Sequence, residues 1–290
     1  MIDRSRSTFE RARRRDRFRR LARFVRRKEG TDRDLLPLDE VTRRLRVFQQ
    51  SYAGLRPIPV KQIVGTVGRT GDFDRDFLPR RREIGPRWRR VERAFGDGGF
   101  PPIQVYELDG RYFVADGHHR VAVARQQGID YIDAEITRLR TRWPLPPDAD
   151  VGRLIMQEQE RMFMEESGLE RARPEAGIEF SRPQGYIELL ELVKIHGYHL
   201  MQERGEVLAP EEIAGDWYDR VYQPALQAIR NQGLYPRAHE GDLFLCVYER
   251  QRDLFPERGG VGWEEAARAM KEEEEANRSR KRLTSRRKGR

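Results

Sequence analysis

The sequence predicts an α+β protein: a small mixed sheet with helices, followed by a mainly α-helical C-terminal module. Three observations predict it. Between residues 56 and 140, short apolar runs with strand-like alternation are separated by glycine-containing turns. The run Trp143-Pro144-Leu145-Pro146-Pro147 then interrupts the pattern, because consecutive prolines deny both helix interior and central strand. Beyond it, apolar residues recur at helical spacing. A length of 290 residues suits two modules with tails. The expected division is a basic amphipathic helical region over 1–50, a mixed-sheet domain over 51–140, a Pro-rich linker over 141–150, a helical domain over 151–260, and a charged, partly disordered tail over 261–290.

In chain order, Ser7 and Glu10 have capping-box spacing, and Phe18, Leu21, Ala22 and Val25 follow at helical intervals, so a helix is expected from about 8 to 28. Its Arg-rich face suits three uses: solvated backing of a docked helix, a nucleic-acid arm, or a membrane-surface helix. A short helix after Pro37 would carry Val41, Leu45 and Phe48 on one side. Ile58 to Val64 reads as a strand, with Ile58, Val60, Gln62 and Val64 on one face and Gly65 and Gly68 turning the chain. A charged helix is expected around 80–95, with Trp88, Val91 and Phe95. The runs Ile103–Glu107 and Tyr112–Val114 flank Asp109-Gly110, a two-residue hairpin signal. Val121–Gln127 should be helical and Tyr131–Ile136 a strand. In the second module, Tyr186, Leu189, Leu190, Val193 and Gly197 form one helical stripe. Trp217, Val221 and Ile229 suggest another helix, kinked at Pro224, and Leu243–Tyr248 a third. Glu272–Glu275 and the Lys/Arg-rich end read as solvated tail, and no internal repeat stands out.

The charge is unevenly spread. Residues 1–28 hold 13 Lys/Arg against 3 Asp/Glu, and residues 277–290 hold 8 Lys/Arg and no acid, giving +10 and +8. Because the whole chain is +9, residues 29–276 carry −9. Separable basic arms framing an acidic body are expected, able to attract polyanions such as DNA or RNA in a salt-dependent way. No run of about 18 apolar residues exists to span a membrane, no signal-peptide core stands at the start, and Cys246 is the single cysteine. These features lead to the expectation of a cytoplasmic protein.

The most informative segment is Arg111-Tyr112-Phe113-Val114-Ala115-Asp116-Gly117-His118-His119-Arg120-Val121-Ala122. An apolar strand runs into Asp-Gly, and a helix begins with two imidazoles and a guanidinium in its first turn. Helix-start N–H groups carry partial positive charge, and a glycine lets an anion approach the backbone. Arg120 would add a planar donor, and His118 and His119 could donate to phosphate oxygens. A structural alternative assigns Asp116 to capping, one histidine to the core and Arg120 to an ion pair. Adjacent helical side chains point about 100° apart, which speaks against a two-His metal site.

The stretch Phe100-Pro101-Pro102-Ile103 through Ala124, followed by Gly128-Ile129 and preceded by Ile58-Pro59-Val60-Lys61-Gln62-Ile63-Val64, resembles the ParB N-terminal domain and sulfiredoxin-like superfamily over residues 56–139. That resemblance implies a nucleotide site, for CTP, ATP or ADP with Mg²⁺ as a companion ion, at Asp116, Gly117, His118, His119 and Arg120. It adds Gly68 and Arg69 as phosphate or substrate contacts by position. Departures from the superfamily's motifs narrow the activity. Sulfiredoxins place a catalytic cysteine where His118 stands. ParB proper has an Arg-rich box here and a helix-turn-helix behind it, and residues 150–260 show no such pattern. Serine-kinase members carry a Glu after the first strand, where this chain reads Val64-Gly65-Thr66-Val67-Gly68-Arg69.

The next acids are Asp72, Asp74 and Asp76. In an extended segment they would share one side and could hold Mg²⁺; otherwise they form a turn before the next helix. His196, His199 and Glu203 have spacing that suits either one metal-binding face or an ordinary exposed helix. His239-Glu240-Gly241-Asp242 reads as a loop and helix cap. The run Trp217 to Pro224 resembles an uncharacterised helical domain that follows ParB-like domains in bacterial proteins.

The leading reading is a ParB-like nucleotide-binding protein of bacterial type, nucleic-acid-associated or regulatory, with homodimer formation among its expected properties. The alternative is an enzyme, a free-serine-type small-molecule kinase or a nucleotide hydrolase. Asp72, Asp74 or Asp76 would then replace the missing Glu as base or metal ligand, and His118 or His119 would stabilise developing charge. An adaptor lacking nucleotide affinity is the third reading.

Overall fold

The computed structural model describes residues 34–80, 90–91, 100–235, 237–258 and 261–287. The expected helix over 8–28, most of that around 80–95 and the side chains of the terminal basic segments lie outside the described residues. The chain is mixed α/β and divides into two compact units, with the division inside one helix between Ile155 and Met156.

The first unit is built on a six-stranded mixed sheet in the order β1-β3-β5-β4-β6-β2. Strand β1 is Leu36–Pro37, followed by helix α1, Leu38–Leu45. Strands β2 (Val47–Pro59) and β3 (Ile63–Thr66) are separated by a 3₁₀ turn at Val60–Gln62. Then come β4 (Ile103–Leu108), β5 (Arg111–Asp116), α2 (His118–Gln126) and β6 (Tyr131–Thr141). Asp109 and Gly110, at φ 49° and 74°, join β4 to β5. Two consecutive positive φ angles are what a tight primed turn requires, and Asp-Gly supplies them at little steric cost. The hairpin expected from sequence is therefore present, with Val105 opposite Val114.

Two apolar layers cover the sheet. Ile58, Ile63, Ile103, Val105, Val114, Val121, Ala122, Ile132, Ala134 and Ile136 pack on the α2 side, and Val41, Leu45, Leu108, Phe113, Leu139 and Leu154 on the other. Alternation along β6 is clean, with Ile132, Ala134 and Ile136 buried on one face and Leu139 on the other.

The expected strand Ile58–Val64 is two strands. Ile58 and Pro59 end the antiparallel ladder with β6, and the turn at Val60–Gln62 carries the chain to a parallel pairing with β5. Ile58, Val60, Gln62 and Val64 therefore do not share a face: Gln62 is exposed, and Val64 packs with the opposite layer from Ile58. Gly65, expected as a turn, lies inside β3. A Cβ there would intrude on the Phe113 ring and on the Leu36 carbonyl oxygen of β1. Phe48, expected on the α1 stripe, is in β2 and 68% exposed, because the helix ends at the left-handed Arg46.

The second unit is helical: α3 (Val151–Ser167, shared with the first unit at its start), α4 (Leu169–Ala172), α5 (Gln184–Arg204), α6 (Pro210–Trp217), α7 (Gln223–Gln232), α8 (Glu240–Arg258) and α9 (Trp263–Arg287). Its core is aromatic, with Trp217, Tyr222, Phe163, Phe180 and Phe244 almost fully buried. The π-helical turn Tyr218–Tyr222 joins α6 to α7 with the backbone right-handed helical throughout, so the interruption expected at Pro224 is present as a widened turn just ahead of the proline. Leu243–Tyr248 is helical as expected. The supposed solvated tail is α9, because Ala266, Ala267 and Met270 at helical spacing give it a face that packs in this core. Among the described residues no helix is long and apolar enough to cross a membrane.

The tight β3–β5 approach gives a direct test. Gly65→Ala must push the Phe113 ring or the β1 backbone aside, an overpacking cost of about 1–3 kcal/mol. Urea unfolding should show a correspondingly lower midpoint with an unchanged slope. An unchanged midpoint would show that the strands are not this close.

Candidate functional site

Strand β5 delivers Asp116, and Gly117 turns the chain into α2. Gly117 has φ 100°, and a Cβ there would collide with Ile103 of β4, so glycine is required twice over. The first N–H groups of a helix have no acceptor within it, and those of α2 open beside a cavity of about 70 Å³, room for several waters or one small polyatomic group. Arg69, Val91 and Ala115 through Arg120 line it. The strand, the turn and the loop after β3 therefore bring Arg69, Asp116, Gly117, His118, His119 and Arg120 to one place. Gly68, at φ 72°, turns the chain just before Arg69.

Each side chain has a defined job here. Asp116 does not cap the helix; its Oδ2 accepts a hydrogen bond from Arg120 Nη2. Arg120 Nη1 also donates to the carbonyls of Pro101 and Pro102, at 2.8 and 2.6 Å. That fork ties the segment before β4 to the helix start. Arg69 lies 3.7 Å from Asp72 and is half exposed, a loose pair worth well under about 1 kcal/mol. Both guanidinia at the cavity thus face carboxylates of the same site.

The imidazoles are less exposed than the motif suggested. His118 is 4% and His119 8% exposed. His118 Nε2 lies 2.6 Å from Thr66 Oγ1 at the end of β3, where the Val67 N–H bonds to Val114 and holds the two strand ends together. Burial, with help from the Arg69 charge, pushes the His118 imidazole down to about 4. At neutral pH it is an uncharged hydrogen-bonding group. Phe73, fully buried, stacks near His118 (6.5 Å between ring centres) and presents itself edge-on to His119 (5.4 Å).

The loop holding Phe73 is fixed in turn. Asp74 Oδ1 accepts from the N–H groups of Asp76 and Leu78, at 2.9 and 2.8 Å, closing a turn. Arg125 of α2 donates to the carbonyls of Arg75, Val60 and Ile63 and lies 5.0 Å over the Phe77 ring. The structure therefore gives Asp74 a turn-closing role, and its field acts on Arg125, as does that of Asp76. Asp72 alone of the three acids stands at Arg69. Among the described residues no three His, Cys, Asp or Glu side chains converge as a metal site. His196 pairs with Asp216 of α6 at 2.8 Å. His239 pairs with Glu179 ahead of α8.

Thr66, Phe73 and Arg125 are structural members of the site that sequence reading missed. Thr66 left one trace, a lone hydroxyl closing an apolar strand. Phe73 and Arg125 left none, since their partners are distant in sequence.

The His118 environment has a pH consequence. Between about pH 6.5 and 4 the unfolded chain takes up a proton that the folded chain refuses. Stability is therefore full above this window and is lost as pH falls through it, by on the order of 3 kcal/mol. Urea unfolding across pH 7 to 4 should show this extra loss in the wild type and not in His118→Gln. Equal losses in both would place the titration elsewhere.

No protein-family model matches the chain, and no curated protein matches it. Among the solved structures that are similar in part, two stand as follows. One is the C2221 form of a Pnob8-like ParB-N domain, 11% identical, with 74% of this chain and 87% of that one covered and a TM-score of 0.21. The other is a pNOB8-like ParB N-domain, 10% identical, with 73% and 80% covered and a TM-score of 0.23. Likeness at this level carries no argument about the site, and the residues themselves must supply one.

Proposed function

We propose that the start of α2 binds a phosphate group of a nucleotide, as part of a ParB-like, nucleic-acid-associated or regulatory function. The observation that carries this reading is the meeting of two guanidinia, Arg69 and Arg120, from separate segments at one small cavity over the glycine-opened helix start. Backbone N–H groups, the helix dipole and planar cationic donors form the combination that favours phosphate. The cavity suits one phosphoryl group, so sugar and base would lie over its rim.

Charge for the anion comes from the arginines, because His118 is neutral at physiological pH. Binding exchanges the weak Arg69–Asp72 pairing for a stronger charge-assisted contact. Arg120 keeps Nη1 on the Pro101 and Pro102 carbonyls while Asp116 yields to the ligand. The terminal basic segments, by their charge alone, suit phosphate-directed contact with nucleic acid.

Isothermal titration with CTP, ATP and ADP, with and without Mg²⁺, tests the reading. At least one nucleotide should bind, and Arg69→Ala should weaken it about ten- to a hundredfold, the loss of one charge-assisted contact. Asp72→Asn should tighten binding a few-fold by releasing Arg69. Absence of binding by all three nucleotides, or affinity unchanged in Arg69→Ala, overturns the site assignment.

A further inference from the structure

Strand β2 closes the sheet on one side, and among the described residues no strand pairs with its outer edge. It is 13 residues long, roughly 40 Å of backbone. The opposite edge, β1, has two residues. Long open edges are usually blunted by charge, proline or shortness, because their free N–H and C=O groups template pairing with another chain. The stretch Phe48-Gln49-Gln50-Ser51-Tyr52-Ala53-Gly54-Leu55 has neither a charge nor a proline. In a chain with 36% charged residues, eight positions would ordinarily carry about three charges. Instead, Phe48, Tyr52 and Leu55 are 68, 72 and 58% exposed.

The register gathers these groups. Tyr52 faces Thr137, Leu55 faces Glu135 and Pro59 faces Tyr131 across the β2–β6 ladder. Paired residues share a face, so Tyr52 and Leu55 form an apolar patch at the edge, on the face that Leu139 shares, while the 62% exposed Tyr131 lies further along that face, beyond Glu135 and Asp133. The register shifts at Phe48, between Val47 and Gln49, and again between Tyr52 and Leu55, where Gly54 has φ 84°; these irregularities twist the edge locally and leave Gln49–Tyr52 as its regular stretch.

We infer that the outer edge of β2 pairs with β2 of a second copy, antiparallel, about a two-fold axis passing through residues 48–55. The argument for a second copy is charge. In isologous pairing every residue near the axis meets itself or a close neighbour, so any charge there would face its like. This stretch holds none; the nearest charges in sequence are the exposed Arg46 and Arg56, the latter 3.3 Å from Glu107, a carboxylate it shares with Arg138 at 3.0 Å. Pairing would continue the sheet across both copies and set the two Tyr52–Leu55 patches side by side. The two-residue β1 edge gives no comparable surface for further growth, so the assembly closes as a dimer.

Sedimentation equilibrium of the full chain across the micromolar range tests this independently of nucleotide. The wild type should sediment as a dimer. Tyr52→Lys and Leu55→Lys, both at exposed positions, should dissociate at least tenfold more readily with unchanged circular dichroism. A thiol crosslinker should join Ser51→Cys into dimers and leave Val207→Cys, at a 92% exposed position, monomeric; the buried Cys246 contributes nothing. A monomeric wild type overturns the inference, even one that captures an added extended peptide. So do a dimer indifferent to both lysines and an open-ended series of oligomers. If a lysine variant fails to fold, the absence of a Ser51→Cys crosslink is itself decisive against it.

Discussion

The guanidinium of Arg125 holds the corner of the sheet domain around the start of α2 together. It donates to three carbonyls from two segments, Val60 and Ile63 on the turn into β3 and Arg75 in the loop beyond it. Burying a cation is costly unless its donors are met, so each of these bonds is hard to replace once the site is dry. Through them, α2 dictates where β3 begins and where the loop carrying Phe73 settles. Thr66, Phe73 and Arg69 then reach the start of the same helix. One residue at the helix's far end thereby sets the geometry at its near end.

The corner is electrostatically almost balanced before any ligand arrives. Asp116 faces Arg120 and Asp72 faces Arg69, while His118 carries no charge at neutral pH. This matters in a body that is acidic between residues 29 and 276. Unpaired arginines there would gather any anion; paired ones favour a group able to outcompete a carboxylate at short range. The phosphate binding proposed for this corner would rest on the directed N–H groups of Gly117–Arg120 and the planar guanidinia, since the long-range field opposes anions.

How much of this was legible in the sequence follows from contact range. The Asp109-Gly110 hairpin and the run from strand through Gly117 into helix are local, and local chemistry decides them. The division of Ile58–Val64 into two strands was not legible, because apolar alternation is silent about which neighbour a strand pairs with. The Gly65 position is set by a phenylalanine 48 residues later, which no turn signal reports. Phe48 and the stretch 263–270 were misread for opposite reasons. The first is an apolar residue with nothing covering it, and the second a charged stretch whose few apolar residues share one helical face. In the candidate site, Asp116 to Arg120 stood out as a motif; Thr66, Phe73 and Arg125 act only through tertiary contact.

The pairing of β2 with β6 carries a kinetic consequence. Val47 meets Thr141, so the longest ladder of the sheet joins segments made far apart in time. At about 5–20 residues per second, a ribosome needs several seconds to reach Thr141 after completing β2. Through that interval β2 lacks its β6 partner, and its uncharged middle is open along both sides. The local β4–β5 hairpin can form early, while closure against β6 must wait for long-range chain entropy to be overcome. The segment most at risk during synthesis is therefore the edge strand, three strands across the sheet from β5, which delivers Asp116 to the candidate site.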